Sequence, residues 1–117
     1  MAKTVIIAAL IILIIFSGAT ASFIYTENTI TGFADELRSL DNLNNIHRIR
    51  EDWDDKKNIL MLFMNHRDIE DVSVALIRAS EEAETGEVAD TRREIALAVF
   101  LMEELVERER LSVENIF

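Results

Sequence analysis

The chain has 117 residues, a formal net charge of −10, no Cys and no Pro. Such a charge repels nucleic-acid phosphates and anionic lipid headgroups alike, so neither is an expected partner. Without Cys there are no disulfides or thiolate metal sites, and with 3 Gly there is no glycine-rich phosphate loop.

Residues Val5–Ile24, VIIAALIILIIFSGATASFI, carry no charged side chain. As a helix, the run spans about 30 Å, the thickness of a bilayer's hydrocarbon core. Its Val, Ile, Leu and Phe side chains together favour insertion by roughly 5 kcal/mol. Lys3 precedes the run, whereas Glu27, Asp35 and Glu36 follow it. The positive-inside rule therefore expects a cytoplasmic N-terminus and places everything after Tyr25 outside the cytoplasmic membrane. Ala19-Thr20-Ala21 is an A-x-A pattern, so the competing expectation is a signal sequence cleaved after Ala21. The rings of Phe23 and Tyr25 favour a retained anchor, as does the meagre basic segment before the run. The expected domains are thus an anchor over 1–25 and an acidic extracytoplasmic body over 26–117.

Apolar residues Ile30, Phe33, Leu37 and Leu40 recur three and four apart, which predicts a helix over 27–41, with continuity into the anchor an open option. A second stripe, Ile46, Ile49, Trp53, Leu60 and Met64, predicts a helix over 45–64. At 100° per residue, Leu40 and Trp53 lie about 220° apart, so one straight helix cannot bury both. The Asx-rich Asp41–Asn45 supplies the turn, and the phase break argues against a continuous coiled coil. Asp68 is a candidate N-cap for a third helix bearing Ile69, Val72, Leu76, Ala79 and Ala83, which Gly86 ends. A fourth helix is expected over 88–108 from Val88, Ile95, Val99, Met102 and Val106. The expected fold is all-α, an N-terminal transmembrane helix followed by an antiparallel three- to four-helix bundle.

The second and fourth helices carry additional large apolar residues on their backs: Leu62, and Leu97, Phe100 and Leu101. Either these helices are central and covered by the other two, or the surplus is a surface for a homo-oligomer or an integral membrane protein. Ile116 and Phe117 are apolar beyond the last predicted helix, and either tuck onto the bundle or dock a partner. Leu62, Leu97, Phe100, Leu101, Ile116 and Phe117 form the candidate interaction surface.

The signals for chemistry are weak. His47/Glu51 and His66/Glu70 are H-x-x-x-E pairs, but the E-x-x-H of carboxylate-bridged metal bundles is missing. Glu51, Asp52, Asp54 and Asp55 lack the spacing and Gly of a calcium loop, and read as a solvated face with Asp52 paired to Lys56. Neither G-x-S-x-G nor a Ser beside a His is present. No catalytic, cofactor or metal residues are therefore expected, and the chain reads as a non-enzymatic accessory protein. The alternative is a secreted ligand- or metal-binding module released after Ala21.

The anchor, Trp53, NHRDIEDV (Asn65–Val72) and above all the ending LSVENIF (Leu111–Phe117) resemble the domain-of-unknown-function 4363 family. That resemblance covers nearly the whole chain and implies a small, membrane-anchored helical protein of a Gram-positive bacterium. The family often has Glu before the His of this stretch, where this chain has Asn65. It implies no activity and carries over no catalytic residues.

Overall fold

The computed structural model describes residues 1–116, with all side chains except those of Val113 and Ile116. It contains four helices: α1 (Ala2–Arg38), α2 (Ile46–Leu60), α3 (His66–Thr85) and α4 (Val88–Ile116). No strand occurs among the described residues, so the all-α expectation holds.

α1 joins the apolar run and the first predicted bundle helix without a break, making one rod of 37 residues. With no Pro to remove a backbone donor, nothing interrupts its ladder. Its hydroxyls turn inward to the backbone: Ser22 Oγ donates to the Gly18 carbonyl at 2.8 Å, and Thr26 Oγ1 to the Ser22 carbonyl at 3.0 Å. These bonds satisfy hydroxyls that would otherwise oppose burial in either lipid or protein.

The phase change after Leu40 is met by a 3-10 turn, Leu43–Asn45, opened by the Asn42 side chain accepting from the Asn44 N–H at 3.0 Å. α2 ends at Leu60, earlier than expected, because Met61–Met64 leave the helix in a folded turn. Asn65, not Asp68, caps α3; its backbone is extended and its Oδ1 accepts from the Arg67 N–H at 2.8 Å. Asp68 falls within the first turn and pairs instead with Arg108. Gly86 ends α3 at φ 80, in the left-handed region that penalises a Cβ. α4 continues beyond 108 to Ile116, absorbing most of the LSVENIF segment into the helix.

Polar cross-contacts establish the antiparallel order. Glu36 pairs with Arg48 between α1 and α2, Arg50 with Ser80 between α2 and α3, Asp68 with Arg108 between α3 and α4, and Glu27 with Arg110 between α1 and α4. The four helices form a ring in which each packs on two neighbours. This corrects one expectation: α2 and α4 are not central helices covered by the other pair, so their outer faces remain open.

The predicted stripes meet inside the ring. Ile30, Leu37, Ile49, Leu60, Ile69, Val72, Leu76, Met102 and Leu105 are buried, as is Thr26, whereas Val88 lies outside the core. Trp53 is fully buried, its ring edge-on to Phe33 with centroids 5.4 Å apart. Its indole N–H donates to Ser73 Oγ at 2.8 Å, and Ser73 Oγ donates to the Ile69 carbonyl at 3.1 Å. This relay lets a polar group occupy the apolar centre.

Two stability predictions follow the core and its cap. Ser73→Ala should leave the buried indole N–H unpaired and cost about 1–3 kcal/mol. Gly86→Ala meets no steric obstacle, so its cost is the left-handed backbone alone, about 1–2 kcal/mol. Urea unfolding, read by the fluorescence of the single Trp, measures both.

Candidate interaction surface

On α4 the inward stripe is Thr91, Ile95, Ala98, Met102 and Leu105, all buried. A half-turn away, at three- and four-residue steps, lie Leu97, Phe100, Glu104, Glu107 and Leu111, all exposed. Leu97 is 39% and Phe100 57% exposed, so these two form an uncovered apolar pair. Glu104 and Glu107 separate it from Leu111. Leu101 is half-buried against the core.

Leu62 is the most exposed of the candidates whose side chains are described, at 76%, but belongs to a different region. It lies in the α2–α3 turn, whose neighbour Asp68 pairs with Arg108. Phe100 is eight residues before Arg108 on α4, or about 12 Å along its axis. The Ile116 side chain and Phe117 lie outside the described residues. The structure therefore places the candidates in at least two regions: the outer face of α4 and the α2–α3 turn.

Between α1 and α4 runs an open groove of about 260 Å³, with Ile30, Ala34, Met102 and Val106 on its floor. Ion pairs bridge the two helices along it: Arg38 with Glu103, and Arg110 with Glu27 at 2.6 Å. The hydrogen bond to Glu27, reinforced by that carboxylate's charge, raises the Arg110 pKa above its ordinary value. Arg108 pairs with Asp68 at 2.8 Å on the neighbouring seam. These contacts span 83 and 40 residues in sequence, and no local periodicity could have revealed them.

Three of the residues considered for metal chemistry, His66, Asp52 and Asp54, have protein partners instead. His66 Nε2 donates to the Met61 carbonyl at 3.1 Å, closing the α2–α3 turn. Asp52 lies near Arg48 at 3.4 Å, not Lys56, and Asp54 near Lys57 at 3.7 Å. Among the described residues, no three His, Asp or Glu side chains are arranged to hold a metal.

Glu109, on the last turns of α4, is partly buried; desolvation, and secondarily the Asp68 charge, raise its carboxyl pKa above the ordinary 4.5. A folded-state pKa above the unfolded one means that protonation favours folding. This contribution is therefore greatest in acid and is lost as pH rises through the folded pKa. Glu109→Gln should stabilise the bundle at neutral pH, with the gain vanishing toward about pH 4.5. Paired urea titrations at the two pH values would reveal the difference.

Comparison with known proteins gives one match. The family described as "Domain of unknown function (DUF4363)" matches residues 23–116. Neither the curated proteins nor the solved structures gave a match. The matched region starts at Phe23, among the first α1 residues covered by the bundle, and runs through the described end of α4. The chain belongs to the DUF4363 family.

Proposed function

We propose that this protein is a single-pass membrane protein that holds an acidic helical bundle outside the cytoplasmic membrane as a non-enzymatic accessory subunit of another membrane protein. The observation that carries this reading is α1 itself. Its apolar half is long and apolar enough to cross a membrane, and none of that segment is buried by the rest of the chain. The same helix then becomes a wall of the bundle without an intervening linker. A soluble core helix of that composition would be covered by its own protein.

The accessory role is supported by Leu97 and Phe100, exposed together on the outer face of α4. An apolar pair on a helix suits the flank of another helical protein or of a second copy of this chain. The net charge of −10 argues against nucleic acid.

A second reading has its own support. Ala19-Thr20-Ala21 lies just before Ser22 and Phe23, where the bundle begins to cover α1. Cleavage after Ala21 would thus release the bundle with its core intact, as a secreted module.

Membrane fractionation with protease added to intact cells separates the readings. Retention in the membrane, with loss of a C-terminal epitope, is the expected result. A soluble product in the medium whose N-terminus is Ser22 supports release, and an epitope protected until lysis overturns the proposed orientation. For the accessory role, mild-detergent purification should recover a recurrent membrane-protein companion or a homo-oligomer. Leu97→Glu with Phe100→Glu should lose it while leaving the fold unchanged. A clean monomer would count against a partner.

A further inference from the structure

Residues 56–67, KKNILMLFMNHR, are an exception to the chain's acidity: no Asp or Glu occurs among them, while Lys56, Lys57 and Arg67 do. At their centre is the α2–α3 turn, where polar and turn-forming residues are usual but Met61-Leu62-Phe63-Met64 stand instead. The turn is ordered by its own bonds. The Leu62 N–H donates to the Ile59 carbonyl, the Phe63 and Met64 N–H groups to Leu60, and His66 Nε2 to Met61. Leu60 and Met64 point inward and are buried; Leu62 and Phe63 point outward, 76% and 47% exposed.

The level of this turn is set by two ion pairs. Asp68, just past the turn, reaches Arg108 at 2.8 Å, and Arg110, one step further along α4, reaches Glu27 at 2.6 Å. The turn thus lies at the end of the bundle where α1 enters. Glu27 is three residues past Ile24, about 4.5 Å of helix rise. The headgroup layer beyond the hydrocarbon core is about 5–8 Å deep on each side.

We infer that the α2–α3 turn is a second membrane contact, in which Leu62 and Phe63 enter the outer bilayer interface beside α1 while Lys56 and Arg67 meet headgroup phosphates. This rests on the anchored reading of α1. Exposed apolar side chains flanked by cations are the chemistry of interfacial lipid binding. Tyr25, 40% exposed at the same level on α1, gives the interface an aromatic group on another helix. Held by two separate elements, the bundle would stand at a fixed rotation about the α1 axis.

The chain contains no Cys, so single-cysteine variants report position without background. Ile12→Cys, Leu62→Cys, Phe63→Cys and Phe100→Cys in the full chain, each carrying a small polarity-sensitive dye, are reconstituted in phosphatidylcholine vesicles with or without a lipid bearing a nitroxide near its headgroup or deep in its acyl chain. The expected result is loss of fluorescence to the deep quencher at 12, to the shallow quencher at 62 and 63, and to neither at 100. Quenching at 12 without quenching at 62 or 63 overturns the inference and spares the anchor. No quenching at 12 removes the anchored reading on which it rests. Quenching at 100 as well as at 62 and 63 shows the bundle lying flat, which overturns the turn as the specific contact. A parallel Leu62→Ser, Phe63→Ser chain, dye-labelled through Tyr25→Cys, should lose shallow quenching at 25 relative to the same label on the unsubstituted turn; unchanged quenching would overturn the turn's role in seating the bundle. Far-UV circular dichroism checks that each variant keeps its helices.

Discussion

One helix ties the chain together. α1 is a single rod whose first half is uncovered and apolar and whose second half supplies Thr26, Ile30, Phe33, Ala34 and Leu37 to the core. It runs as one continuous helix from Ala2 to Arg38. It has no Pro, and Gly18 and Gly32 both lie within its regular helix. The bundle is therefore built on a helix whose direction is already determined, and its other three helices pack as alternating returns along that axis.

The interior closes around Trp53. A large indole is useful where four helices leave a wide central space, but it brings a donor that must be paired. Ser73 is a small residue that accepts this donor and passes its own hydroxyl hydrogen to the Ile69 carbonyl. The Phe33 ring meets the indole edge-on from α1. Three helices are thus brought into register by one side chain, which gives the ring a defined arrangement beyond general apolar packing.

What the sequence made legible follows periodicity. The stripes of Ile30–Leu37, Ile46–Met64 and Ile69–Ala79 became core because three- and four-residue spacing is a local signal. Gly86 was legible for the same reason: a left-handed helix end favours one residue type. Which Asx residue caps α3 was less clear. Asn65 and Asp68 are both good caps, and the choice depends on Met61–Met64 leaving the helix early, a tertiary matter. The candidate surface was the least legible part. The surplus on α2 and α4 was visible, but its division between the α4 face and the α2–α3 turn depends on contacts between distant residues such as Asp68 and Arg108.

The absence of a joint between the two halves of α1 has a mechanical consequence. From Arg110, level with Glu27, α4 runs back 22 residues to Val88, about 33 Å. Transmembrane helices commonly tilt by about 20°. In an anchored protein, a rod without a joint would carry that tilt into the bundle and move its Gly86 end sideways by about 11 Å.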